Sequence, residues 1–439
     1  MPTYQSWGRY PAASPTGVLP VVWRSDPPAL DRVPGPVLAY ACGRSYGDSC
    51  LNEDGVLLDM TPLNRIIAFD GGTGVITCEG GVSLADILTV ALPRGWFLPT
   101  TPGTKFISIG GAIANDVHGK NHHRAGTFGR HVLRFELARS DGSRTVCSPS
   151  DDAELYAATI GGLGLTGIIT WAELQLRRVD GPYMDVETVP FRSIDEFFDV
   201  SADSDERYEY TMSWIDCLAV GRHLGRGMLM RGNHAWQKSI PGRSAEPRSR
   251  FSVPFTLPPA LLNPLSVRAF NAVIYRSHSL GTSRGVRPFD GFFYPLDAIG
   301  HWNRMYGPGG FLQYQCVVPF ASDRTAIRAV LGAISAANEG SFLAVLKTFG
   351  DAPSPGMLSF PRPGVTLALD FRYRGQRTLD LMERLDAIVL DGGGAVYPAK
   401  DARMPGATFR ASFPRLREFM AYKDPKFSSS FWRRVMSDA

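Results

Sequence analysis

No run of apolar residues in this 439-residue chain approaches 18, so no membrane-crossing helix is expected. The N-terminal segment MPTYQSWGRYPAASPTG lacks a basic stretch followed by an apolar one, so no signal peptide is expected. A cytoplasmic location is the expectation, with peripheral contact at the inner membrane left open. Cysteine is sparse: six residues (Cys42, Cys50, Cys78, Cys147, Cys217, Cys316), without CxxC or Cys/His metal spacing. A disulfide framework is not expected in so large a chain, and reduced thiols are the better reading. Charge of one sign is lacking too. The balance of 46 Lys+Arg against 42 Asp+Glu gives +4, too little over this length for a nucleic-acid partner.

Glycine, by contrast, is concentrated. Between Pro99 and Gly129 it stands at 103, 110, 111, 119, 126 and 129, beside His118, His122 and His123. Such density marks backbone that takes positive φ or approaches a ligand closely. Successive exposed N–H groups then offer a concavity for an anion such as a pyrophosphate. Ile109–Ala114 is apolar apart from its glycines, so it reads as a buried turn. The histidines are a poor metal site. His122 and His123 are adjacent and cannot readily face one ion, and Asp116 is the sole carboxylate nearby.

Short strands alternate with turns over the first 180 residues: 37–41, 56–60, 65–70, 75–79, 132–138, 145–147 and 168–176. Hairpins are expected at Gly71–Gly74 and Asp141–Gly142, and helices at 84–93 (Ser83 as N-cap) and 151–159. Gly162-x-Gly164-x-x-Gly167 matches a dinucleotide fingerprint, but it follows a helix and precedes a strand. The fingerprint requires the reverse, so a nicotinamide-binding unit is rejected. Short strands alternating with turns and few helices are not a doubly wound parallel sheet. A new domain begins after Val179. Residues 225–265, basic and proline-rich, read either as a long flexible loop with a function or as a disordered insertion. Strands at 310–319, 342–349 and 366–373 with helices at 323–338 and 379–390 predict an antiparallel sheet covered on one face. Phe427–Arg434 reads as a surface helix, with membrane-surface contact as a weaker option.

Two glycine turns about 60 residues apart, with a third at 161–167, suggest three loops converging on one cofactor. The stretches are Gly43–Asp48, Pro102–Thr104, Ile109–Ile113, His118–His123, Gly162–Ile168, Trp302–Pro308, Phe311–Gln315 and Tyr397–Asp401. In this order they resemble the vanillyl-alcohol-oxidase (PCMH) type of flavoprotein, and within it the decaprenylphosphoryl-ribose oxidase group. The resemblance implies an α+β protein. Residues 1–179, completed by 396–439, would form a PCMH-type FAD-binding domain of two small α/β subdomains. Residues 180–395 would form a substrate-binding cap domain with an antiparallel sheet flanked by helices.

The resemblance also implies the site. FAD contacts are expected at Gly43, Arg44, Ser45, Tyr46, Gly47 and Asp48, and at Gly103, Thr104, Ser108, Ile109, Gly110, Gly111 and Ala112. Further contacts fall at His118, Asn121, Gly167, Ile168 and Tyr397. Some relatives attach flavin through a histidine in the first turn; Arg44 stands there, so FAD is expected to be non-covalent. Lys400 would be the base, its pKa lowered by burial, with His118 orienting the hydroxyl and Tyr46 beside them. Trp214, Tyr294, Gln315, Lys347 and Lys400 would line the substrate pocket, Lys347 holding a phosphate. Ala368 stands where the best-known members carry a cysteine that covalent inhibitors attack.

The implied activity is oxidation of the 2′-hydroxyl of a polyprenyl (decaprenyl) phosphoryl-β-D-ribose, a lipid-linked phospho-sugar, to the 2-keto sugar. A short-chain reductase partner would complete epimerisation to an arabinose donor for cell-envelope glycan. Quinone, oxygen and a protein stay open as electron acceptor. The alternatives are an aldonolactone or other soluble-sugar oxidase of the same fold, and a flavin-free lipid- or glycan-binding protein.

Overall fold

The N-terminal arm, rich in proline and aromatics, is laid on the body as the first strand of a small sheet. In the computed structural model, which describes residues 4–236, 251–256, 263–322 and 324–437, Gly17–Pro20 (β1), Val37–Tyr40 (β2) and Val56–Asp59 (β3) pair in parallel in the order β1-β3-β2. An antiparallel sheet follows, built from Ile66–Phe69 (β4), Val75–Glu79 (β5), Val132–Ala138 (β6), Arg144–Cys147 (β7) and Ile168–Gln175 (β8), ordered β4-β5-β8-β6-β7. Both expected hairpins are present, β4–β5 and β6–β7. Ser83 caps the helix Leu84–Ala91 (α1) in a reciprocal capping box with Asp86.

Ile109–Ala114 is not a turn but a short helix (α2). Its two glycines each cost a helix about 1 kcal/mol relative to alanine. Burial of Ile109, Ala112 and Ile113 offsets that cost, and the Ser108 hydroxyl accepts from the Gly111 N–H. Glycine at 110 is a packing requirement: a Cβ there would lie 2.9 Å from the Gly80 carbonyl oxygen.

The second half is organised by eight strands: Tyr183–Phe191 (β9), Tyr210–Ile215 (β10), Gly227–His234 (β11), Ser283–Pro288 (β12), Phe311–Val318 (β13), Ala344–Phe349 (β14), Gly364–Arg372 (β15) and Ala395–Val396 (β16). They pair antiparallel in the order β12-β9-β11-β10-β14-β15-β13-β16. Period-two alternation gives the central strands two different faces. Leu312, Tyr314 and Cys316, Ala344 and Leu346, and Leu367, Leu369 and Phe371 enter a core with the helices Thr325–Ala337 and Gln376–Asp391. Gln313, Gln315, Val345, Lys347 and Ala368, of opposite parity, line a cavity on the other side.

Two further expectations differ from the structure. The stretch 225–265 is not one loop: its start forms β11 inside the sheet, and Asn263 and Pro264 open the helix Pro264–His278 (α3) as N-cap and N1. Residues 237–250 and 257–262 of that stretch, and Asp323 of the expected helix, lie outside the described residues. The C-terminal helix Ser430–Met436 (α4) is no surface helix, since Phe431, Trp432 and Val435 are buried. The strand-like segment before it hydrogen-bonds β2 through Val37 N–H to Lys426 O (3.0 Å) and Ser428 N–H to Val37 O (3.0 Å).

Candidate active site

Three glycine turns and one face of the large sheet enclose a cavity of about 350 Å³. Gly43–Tyr46 comes from the turn after β2, Gly103, Thr104 and Ser108 from the loop into α2, Gly110 and Gly111 from its first turn, and Gly164 and Gly167 from the turn before β8. Gly164 has φ +73°, and a Cβ on it or on Gly103 would meet no protein atom within 4 Å. Both positions therefore leave room for a ligand against bare backbone. Arg44 Nε and His118 Nδ1 are buried with no protein partner among the described residues. Open glycine backbone together with unsatisfied donors fits a flat, polar-edged group such as FAD.

The first turn and the Lys400 segment are tied together. Tyr46 N–H donates to Ala399 O at 3.0 Å, and a Cβ on Gly47 would lie 1.7 Å from the Asp401 carbonyl oxygen. Only glycine lets these two chains pass so closely. The tie puts the Lys400 ammonium 3.8 Å from the centre of the Tyr46 ring. Lys400, Lys347 and Lys120 all line the cavity. Burial drives Lys400 down to about 7, an effect that Asp370 partly opposes. Burial, then Lys120 and Lys400, bring Lys347 to about 7, and burial alone brings Lys120 there. Near neutrality each can therefore be a charge or a base.

His118 is held neutral. Burial and then Lys347, His122 and Lys400 push its pKa well below the usual histidine value. Gln315 Nε2 donates to His118 Nε2 at 2.9 Å, which leaves the ring proton on Nδ1. Lys347 Nζ donates to Gly119 O at 2.8 Å. The Tyr46 phenol is pushed up by burial and stays protonated. Tyr397 donates to Asn115 O at 2.8 Å and stacks on Phe360.

Of the residues expected in the site, Gly43, Arg44, Ser45, Tyr46, Gly103, Thr104, Ser108, Gly110, Gly111, His118, Gly167, Tyr397, Gln315, Lys347 and Lys400 line this cavity. Eight others lie behind it. Gly47 supports the Asp401 crossing, and the Asp48 carboxylate pairs with Arg434. Ile109, Ala112 and Ile168 are core residues. Asn121 binds Thr100 and Pro99 O, the Trp214 indole donates to Phe342 O, and Tyr294 Oη shares a proton with Thr101 Oγ1. Sequence reasoning missed Lys120, Gln313 and Asp370. Asp370 is buried, accepts from Tyr306 Oη (3.1 Å) and Gln313 Nε2 (2.6 Å), and is pushed by burial to about 6. Strand parity with Ala368 was the signal that could have found it.

The glycine cradle predicts that Gly103→Val leaves the apoprotein folded, because the added side chain meets empty cavity. FAD affinity, measured by titrating apoprotein, is expected to fall about tenfold.

Comparison with known proteins agrees with the geometry. A family described as FAD binding domain matches residues 32–148, spanning the first two glycine turns. A decaprenylphosphoryl-β-D-ribose oxidase of Mycolicibacterium smegmatis is 36% identical over 98% of this chain and 96% of its own. An uncharacterized protein in the mprA 5′ region of Streptomyces coelicolor is 33% identical over 81% of this chain and 100% of its own. Cytokinin dehydrogenase 3 of Oryza sativa subsp. japonica is 30% identical, over 32% of this chain and 28% of its own. Likeness along nearly the full length of both chains, with an FAD-binding match over the turns that form the cradle, makes this protein a member of the decaprenylphosphoryl-β-D-ribose oxidase family of FAD-dependent oxidoreductases.

Proposed function

We propose that the protein oxidises the 2′-hydroxyl of a polyprenyl-phosphoryl-β-D-ribose to the 2-keto sugar, with FAD bound non-covalently. The observation that carries this reading is the set of three lysines facing one cavity beside a neutral histidine. A free sugar or lactone has no charge to match them, whereas a phosphodiester does. Bound FAD supplies a two-electron acceptor for an alcohol carbon. Residues 1–179 and 396–439 would hold it, with 180–395 as the substrate cap. Arg44, stacked 4.1 Å over Trp7, offers no imidazole for a covalent link.

Lys400, as the free amine, takes the hydroxyl proton. His118 and Gln315 orient the hydroxyl by hydrogen bonds, and the Tyr46 ring shields the amine. Lys347, as the ammonium, holds the phosphate oxygen. The product would pass to a short-chain reductase that completes epimerisation. Anaerobic titration tests the reading: polyprenyl-phosphoryl ribose is expected to bleach the flavin, while free ribose and aldonolactones leave it yellow. Bleaching by the lactones with indifference to the phospholipid sugar would overturn it.

A pH dependence follows from the two lysines. Lys400 must be neutral, so kcat/KM rises with pH through about 7. Lys347 must be charged, so substrate affinity falls as pH climbs past its own value near 7. The profile is therefore bell-shaped, with its maximum near neutrality. Lys347→Met is expected to raise KM by about 10- to 100-fold with little change in kcat, and to remove the alkaline limb.

A further inference from the structure

We propose that the outer face of α3 seats the protein on an anionic lipid bilayer. Helix α3 is amphipathic, but its apolar stripe points away from the body. Val267 and Asn271 face inward, Asn271 donating to Asp216 Oδ1 at 3.1 Å. Leu265, Ala269 and Val273 recur at i, i+4 and i+8 on the opposite side, with Arg276 a turn further on and Leu280 just past the helix end. Leu265 is 78% exposed, Val273 65% and Leu280 96%. Large aliphatic side chains left in water on a single helical stripe mark an interaction surface.

Charge chooses the occupant. Between Phe251 and Phe289 the sequence has four arginines (268, 276, 284 and 287), no lysine and no Asp or Glu. That stretch alone carries +4, which equals the formal excess of the whole chain. Of the four, Arg284 is matched by Glu187, whereas Arg276 stands exposed within the apolar stripe. Aliphatic side chains flanked by arginine, without a carboxylate, suit insertion at a headgroup layer of anionic lipid. A soluble acidic protein would match the arginines but leave the leucines without apolar cover.

The face also connects to the cavity. Phe270 on α3 packs edge-on to Phe342 (5.9 Å between centroids), which stacks on Tyr306 (5.6 Å). Tyr306 stacks on Phe311 (4.3 Å), and Phe311 meets Tyr46 of the cavity wall (5.6 Å). A chain of aromatic rings thus joins the helix that carries the stripe to the lining. The inference stands apart from the substrate reading, because vesicle binding is scored with no sugar present.

Flotation of the flavin-loaded protein with phosphatidylcholine vesicles, with and without phosphatidylglycerol, is the test. Partitioning is expected only with phosphatidylglycerol, weakened but not abolished by high salt. Arg276→Gln is expected to lower it about fivefold, and the double variant Leu265→Asp, Val273→Asp by at least about tenfold. Unchanged flavin content certifies folding of both variants. Equal or absent binding to the two vesicle types overturns the proposal, as does wild-type binding by the double variant. It also fails if the protein is a dimer without lipid that these substitutions split, since the face would then belong to a second copy.

Discussion

Lys400→Met is expected to give a yellow protein whose flavin the substrate no longer bleaches at a measurable rate. A positioned general base contributes about 10²- to 10⁴-fold, and the neighbouring groups are otherwise engaged: Lys120 Nζ donates to Met212 Sδ at 3.0 Å. His118 is already engaged through Nε2 by Gln315, and its pKa lies well below the usual histidine range. The Tyr46 phenol is pushed upward by burial and remains a donor. Lys347 is committed to Gly119 O and to the anion. The loss should appear in kcat, with flavin content and reduction by dithionite unchanged. Lys400→Arg separates base from charge: a guanidinium stays protonated, so the variant keeps the cation yet is expected to be as inactive as the methionine variant. Retained turnover in the arginine variant would make Lys400 an electrostatic group.

A second consequence concerns Asp370. Its charge partly opposes the fall in the Lys400 pKa. Without it, as in Asp370→Asn, the amine is freed at lower pH, so the acid limb of the profile moves toward acid.

Much of this site is legible in the sequence, because its parts are local. Gly43, Gly103 and Gly167 advertise backbone approach by composition alone, and Lys400 follows an aromatic and a proline in a turn. The strand parity that aims Gln315 and Lys347 at the cavity also lies within single strands. What stayed hidden was non-local. Gly47 and Asp48 look like cofactor contacts in a glycine turn, yet what they serve is the Asp401 segment and Arg434, more than 350 residues away in sequence. Ile109–Ala114 looked like a turn because its glycines disfavour helix. The capping hydroxyl of Ser108 and the burial of Ile113 decided otherwise. The terminal helix reads as superficial because Arg433 and Arg434 are charged, whereas Arg434 pairs with Asp48 and Asp401 and Arg433 donates to Asn52 Oδ1 and Glu53 O.

That last point leads to the second large effect, for Arg434→Met. The Arg434 guanidinium donates to Asp48 Oδ1 (2.7 Å) and Oδ2 (2.9 Å), to Asp401 Oδ2 (2.9 Å) and to Met404 O (2.5 Å). One side chain of α4 thus holds the first glycine turn and the Lys400 segment in register. Removing a partner from a buried ion pair costs about 3–5 kcal/mol. The low end applies here, because about a quarter (27%) of the Arg434 side chain meets solvent. Thermal unfolding is expected at a clearly lower temperature, with flavin lost before the transition as the two segments part. The pH dependence distinguishes lost charge pairing from lost packing. Burial already raises the Asp48 pKa above the ordinary aspartate value, and Arg434 is what restrains it. Without the guanidinium the folded-state value rises further, so the folded variant binds a proton that the unfolded chain releases. Stability from such a raised carboxyl is present at low pH and is lost as pH climbs through the folded value. The deficit of Arg434→Met is therefore smaller at pH near 5 than near 8, while a packing defect alone would be equal at both.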